Sequence, residues 1–179
     1  MNEAQKSYGL NGRTVLEIAM EVCDTLGHGK NKVAPALLAE TAAAETQLGN
    51  YQDPTPNGAG YGICQFDLIG FKDVIKRTRA KDKEKVLDNF GYYLDSVKLE
   101  DLGDDPTLSF ICCRLKYRLI PDLIPTDIIS RAAYWKRWYN STAGKGTVEH
   151  YLEAAETHLY ANVHNHEDEH KPEPEDLYQ

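Results

Sequence analysis

One stretch, residues 49–66, sets this chain apart from a plain helical bundle. It reads GNYQDPTPNGAGYGICQF and holds two prolines and a cluster of Gly and Asn turn signals inside a sequence that is otherwise helix-patterned. On the N-terminal side, residues 14–26 place apolar side chains at 15, 16, 18, 19, 22, 23 and 26, a helical stripe closed by Gly27 and Gly29. Residues 33–48 follow as a second helix, rich in Ala and Leu and stopped by Gly49 and Asn50. Beyond the interruption the spacing predicts helices over 67–77, 84–97, 106–119, 127–140 and 148–163. Pro106 suits a first turn, and Asp67 suits a helix N-terminus. Alternation of the β type is nearly confined to 60–66, with a hairpin expected around Asn57-Gly58. The expected fold is mainly α, about six or seven helices with one small β-hairpin near 60–66. A long irregular loop inside a compact domain is usually functional.

Charge and length exclude several classes. The 179 residues suffice for one domain, expected over 1–163. No apolar run approaches the roughly 18–20 residues of a membrane-spanning helix. The first residues, MNEAQKSYGLNG, lack the basic-then-apolar order of a secretory signal, so a cytosolic product is expected. The net charge of −8 argues against a nucleic-acid binder. Much of it lies in residues 164–179, which carry a net −5 and read as a solvated tail, leaving −3 for residues 1–163. His164, His166 and His170 in that tail have permissive metal-ligand spacing but no predicted structure to fix them, and no metal or cofactor is expected. The four cysteines, Cys23, Cys64, Cys112 and Cys113, form no paired motif and read as buried, reduced thiols without a catalytic partner.

Chemistry concentrates around the interruption. The second helix carries Glu40 and Glu45, about 140° apart around the axis and so on different faces. Glu40, mid-helix, reads as a solvated surface carboxylate. Glu45 lies in the last turn, where the negative end of the helix and the neighbouring Ala42, Ala43, Ala44 and Leu48 both disfavour ionisation. A carboxyl raised in this way suits a general acid at neutral pH. About twenty residues on stands Gly60-Tyr61-Gly62-Ile63-Cys64-Gln65-Phe66-Asp67, whose glycines permit close backbone approach to a ligand.

Together these blocks resemble the goose-type lysozymes and soluble lytic transglycosylases, including their phage-encoded relatives. In that family a helix ends in a catalytic Glu followed by Ser or Thr, here Glu45-Thr46. A Gly-rich loop leads to a Gly-x-Gly-Leu-Met-Gln stretch, here Gly60 to Gln65 with Ile63 and Cys64 where Leu and Met are usual. Asp67 stands two residues after the Gln, as in goose-type enzymes, while Asp53 lies near the family's loop Asp but out of register. A third block, Tyr-Asn-x-Gly-x-Gly, is met by Tyr139-Asn140 and Gly144-x-Gly146 with two extra residues between them. The resemblance spans about 33–160, and 70–125 carries no assignable motif.

The resemblance implies an α+β lysozyme-like fold and cleavage of the β-1,4 bond between N-acetylmuramic acid and N-acetylglucosamine. Glu45 would protonate the leaving oxygen. Asp67 or Asp53 would hold the attacking water in an inverting hydrolase. Otherwise the sugar's own 6-hydroxyl would attack, as in a lytic transglycosylase. Thr46, Tyr61, Gly62, Gln65, Tyr139 and Asn140 would line the substrate site, with Tyr139 near Glu45 and with Tyr61 and Tyr51 available to stack on sugar faces. Asp67 is also a plausible N-cap. Tyr134, Trp135 and Trp138 read as core, and Lys136, Arg137 and Lys145 as a solvated face. The partner expected is the peptidoglycan glycan strand, the oligomeric state a monomer, and the setting a phage endolysin held in the host cytoplasm until release. A chitinase-like hydrolase on the same fold and a non-catalytic binding protein remain the alternatives.

Overall fold

A computed structural model describes residues 10–51, 60–141 and 144–161. Among the described residues the chain forms eight α-helices: α1 (Gly12–Leu26), α2 (Ala34–Thr46), α3 (Leu68–Arg77), α4 (Ala80–Phe90), α5 (Asp101–Asp104), α6 (Pro106–Arg118), α7 (Ile128–Trp135) and α8 (Val148–Ala154). α7 and α8 each run on into a wider, π-type coil, Lys136–Asn140 and Ala155–Tyr160. Residues 164–179 and the Asn57-Gly58 turn lie outside the described residues.

α2 is the axis of the molecule. Pro35 sits in its first turn, and Ala34, Pro35, Leu37–Ala44 and Thr46 are all buried. Its alanines leave room for backbones to approach, and α1, α6 and α8 pack around it. α1 contributes Val15, Ala19, Val22, Cys23 and Leu26, the stripe that the sequence spacing predicts. α6, capped by Asp105 on the Leu108 N–H, is buried from Leu108 to Leu115 and again at Tyr117. One apolar cluster runs through all of these elements. All four cysteines are free and buried. Among the described residues no helix is long and apolar enough to cross a membrane.

Several expectations require correction. The described residues hold eight helices, because Asp101–Asp104 forms an additional single turn before Pro106. The helix expected over 84–97 runs instead from Ala80 to Phe90. Gly91, at φ +77°, closes it with an N–H to Leu87 O. A separate 3₁₀ turn, Leu94–Ser96, buries Leu94 and mimics a continuing helical period in the sequence.

The β-hairpin is also absent: no strand forms among the described residues. Tyr61 and Phe66 make a single antiparallel bridge, with N–H···O distances of 2.8 and 2.9 Å, around a tight turn over 62–65. Gly62 and Gln65 both take positive φ, which curls the chain too sharply for a second ladder pair. Gly62 cannot be replaced without strain: a Cβ there would meet Leu102 O at 2.5 Å.

Glu40 is the largest departure. It is fully buried, not solvated. Arg131 of α7 grips it with a two-pronged fork, Nε to Oε2 and Nη2 to Oε1, both at 2.7 Å. Tyr151 donates to Oε2 at 2.6 Å and Tyr160 to Oε1 at 2.5 Å. Every lone-pair direction of the carboxylate is engaged, which is the condition for tolerating a buried charge. The surface expectation fails because α2 has no solvent face at this level.

Candidate active site

The site is built where α2 unwinds. After Thr46 the chain takes three successive left-handed residues, Gln47 (φ +50°), Leu48 (φ +60°) and Gly49 (φ +82°). Two of the three are not glycine, a costly geometry that persists only where surroundings enforce it. Thr46 supplies part of that enforcement. Its buried hydroxyl donates to Ile63 O at 2.8 Å and accepts the Gly49 N–H at 2.9 Å. The residue expected to bind substrate therefore spends its hydroxyl tying the end of α2 to the 62–65 turn.

Glu45 stands one residue earlier and is only partly buried. Trp135, the last residue of α7, donates its indole N–H to Glu45 Oε1 at 3.0 Å. Burial pushes the Glu45 carboxyl up from 4.5 to about 7; the Trp135 hydrogen bond and the charges of Lys116 and His150 pull the other way and lose. His150, from α8, is anchored by Nε2 donating to Ala44 O at 2.7 Å, one residue from Glu45. The carboxyl is thus shifted toward its protonated form and is only partly buried.

The other residues singled out in the sequence have varied duties. Tyr139 lies in the π-type coil after α7, and its hydroxyl donates to Cys64 O at 2.7 Å, not to Glu45. Its ring packs edge-on against Phe66 at 6.1 Å. Trp135, not Tyr139, makes the hydrogen bond to Glu45. Asn140 Oδ1 accepts from Lys136 Nζ at 2.9 Å, and Lys136 also reaches Gly144 O.

Gly144 and Gly146 fit against this corner for a steric reason. A Cβ on Gly146 would stand 2.5 Å from Trp135 Cη2, and one on Gly144 only 2.1 Å from Asn140 O. Both glycines of the third sequence block therefore leave room for Trp135 and Asn140. Gln65 folds its amide back onto Gly62 O at 2.9 Å. Gly62 is buried, Tyr61 half-buried, and Tyr51 exposed. Asp67 is exposed and caps α3 by accepting the Gly70 N–H at 2.6 Å. Asp53 lies outside the described residues.

Sequence reasoning missed Lys116. It sits on α6, partly buried, with its ammonium 3.8 Å from the centre of the Tyr139 ring and 5.5 Å from that of Phe66. Burial lowers its pKa, while the charges of Glu45 and Asp67 are close enough to raise it in part. The sequence offered little signal, since Lys116 is one of three basic residues, with Arg114 and Arg118, at the C-terminal end of α6. Trp135 was assigned to the core, and it is core at 1% exposed, yet its polar edge is the one that meets Glu45.

No family model, curated protein or solved structure matches this chain. The chemistry therefore rests on the site itself: a partly exposed carboxyl whose pKa burial raises, with a fixed donor on one oxygen. One cation, Lys116, lies in electrostatic reach of both Glu45 and Asp67. Such a set can deliver a proton to a leaving oxygen beside a stabilising negative group. Among the described residues, no three potential metal ligands cluster.

Proposed function

We propose that this protein is a peptidoglycan-cleaving glycosidase that cuts the β-1,4 bond between N-acetylmuramic acid and N-acetylglucosamine, with Glu45 as the general acid. The observation that carries the reading is the state of Glu45: a carboxyl raised to about 7 by burial, partly exposed, at the unwound end of α2. Glycosidic cleavage needs an acid that is still protonated at working pH.

Glu45 gives its proton to the glycosidic oxygen as the C1–O bond breaks. In a hydrolase, water adds to C1 and Asp67 takes a proton from it. Asp67 suits this role because its capping bond to Gly70 N–H engages Oδ1 and leaves Oδ2 for a water. In a lytic transglycosylase, the 6-hydroxyl of the same sugar attacks C1, its proton passes to the Glu45 carboxylate, and a 1,6-anhydro end forms without water. The biological setting that suits either chemistry is a phage endolysin acting on the host wall after release from the cytoplasm.

Purified peptidoglycan digested with the wild type and Glu45→Gln, with products read by mass spectrometry, tests the reading. Reducing muramic ends from the wild type alone are expected for a hydrolase. Ends lighter by one water identify a transglycosylase. Equal product from both proteins removes Glu45 from the chemistry. No product from either, with cleavage of chitin oligomers by the wild type, moves the activity to the chitinase-like alternative; no cleavage of either polymer leaves a binding protein.

A further inference from the structure

The way α2 ends leaves one carbonyl short of its usual partner. In a continuing helix the Leu48 N–H would bond Ala44 O. Here the left-handed residues after Thr46 turn the Leu48 N–H back to Ala42 O, at 3.2 Å. Ala44 O, which belongs to the peptide leading into Glu45, meets His150 Nε2 of α8 instead, at 2.7 Å. A carbonyl only accepts, so Nε2 carries the hydrogen. The second ring nitrogen, Nδ1, makes no hydrogen bond among the described residues, and His150 is exposed. Nδ1 is therefore the nitrogen that gains or loses a proton, and it does so without breaking the anchor on α2. A cation is also favoured at this place, the negative end of a helix.

We propose that His150 is a positioning residue for Glu45: Nε2 holds the peptide that leads into it, and the charge taken up at Nδ1 acts on its carboxyl and eases release of the proton. The role of Glu45 as an acid comes from the glycosidase reading above; the coupling of the two side chains does not depend on it. The charge of His150 is among those that oppose the effect of burial on Glu45. The other cation felt there is Lys116 of α6. Arg131 of α7 is taken up by Glu40, and Lys136 by Asn140 and Gly144 O. Cys64, Tyr117 and Tyr139 also feel Glu45, but burial pushes all three up and keeps them neutral. On α8 itself, Glu149 and Glu153 are the acids beside His150. An imidazole ordinarily changes charge between about pH 5 and 8, the range in which a general acid works. As the imidazolium is lost, Glu45 keeps its proton to higher pH, and the two groups titrate as a pair.

NMR on the protein without substrate tests this. The Glu45 carboxyl carbon, assigned by its absence in Glu45→Gln, and the His150 ring nitrogens are followed from about pH 4 to about pH 9. Nε2 is expected to stay protonated throughout and Nδ1 to titrate. His150→Gln keeps an N–H at the reach of Nε2 and removes the charge, and is expected to raise the Glu45 midpoint by about half a pH unit. His150→Arg, charged at every pH, is expected to hold the midpoint at or below the wild-type value. An unmoved midpoint in His150→Gln overturns the proposal, as does a neutral ring that carries its hydrogen on Nδ1. A midpoint raised in His150→Gln, in a protein that cleaves no glycan, upholds the coupling and removes the glycosidase reading. An unmoved midpoint in a protein that does cleave has the reverse meaning.

Discussion

Trp135 donates its indole N–H to Glu45 Oε1 at 3.0 Å across the junction of α7 and α2. A donor of this kind favours the ionised carboxylate, so it restrains the rise in pKa that burial produces. The same indole is buried and tilts against Tyr151 at 5.2 Å, with room beside it for no side chain larger than Gly146. Trp135→Phe keeps the packing partner and removes the donor. The alkaline limb of the activity profile is expected to move above its wild-type position near 7. The smaller ring should cost about 1–3 kcal/mol of stability. A pH–rate profile beside a denaturant melt reads both, and an unmoved limb would show that the hydrogen bond does not tune the acid.

Glu45→Gln separates chemistry from stability. Activity should fall by at least about a hundredfold, the typical contribution of a positioned acid. Stability should respond in the opposite sense. The folded carboxyl titrates near 7 and the unfolded one near 4.5, so the native state binds the extra proton between those values. Wild-type stability therefore declines as pH rises through that window and carries the full penalty above 7. Gln carries none. The variant is expected to match the wild type at pH 4 and to exceed it at pH 8, by at most about 3 kcal/mol. Urea melts at the two pH values check this, and equal gaps at both would count against a raised Glu45.

Asp67 has one observed duty and one proposed duty, and two substitutions tell them apart. Asp67→Ala removes the cap on Gly70 N–H and should destabilise by about 1 kcal/mol. Asp67→Ser restores a capping oxygen and should melt close to the wild type. If Asp67 takes a proton from the attacking water, Ser is nonetheless inactive in hydrolysis. Full activity in the Ser variant would leave Asp67 as a cap alone.

The buried Glu40–Arg131 fork makes a larger mechanical prediction. Glu40→Gln leaves the guanidinium inside the protein without its counter-charge, at a cost of about 3–5 kcal/mol. Replacing both partners, Glu40→Gln with Arg131→Met, removes the stranded charge and should recover a substantial part. A double-mutant cycle by chemical denaturation measures the coupling, and simple additivity of the two losses would contradict it.

The elements that were legible from sequence were those with local signals. α1 and α6 carry clear stripes or a first-turn proline, and their limits lie within two residues of the expected ones. Asp67 was readable as a cap, and Glu45 as an unusual acid, although burial and not the helix terminus is the main cause of its shift. Glu40 was misread because burial of α2 depends on α1, α6 and α8 arriving from three sides, which no local period encodes. Its alanine-rich surface has no polar stripe to mark an outside. The hairpin was misread because Gln65, a residue without obvious turn preference, adopts a positive φ. Lys116 was invisible for a related reason: its significance comes from Tyr139, Phe66, Glu45 and Asp67, each contributed by another part of the chain.

Two glutamates five positions apart on one helix therefore answer to different demands. A genetic screen that scores only loss of function would return Glu40 and Glu45 side by side and suggest a catalytic pair. They are not alike, since the carboxylate of the first is sealed by a guanidinium and two phenols. Thermal melting sorts such mutants at once, because Glu40 alleles should be temperature-sensitive and scarce in the cell, whereas Glu45 alleles should accumulate as stable, inert protein. An inert allele of that kind is also the natural reagent for trapping whatever the site binds.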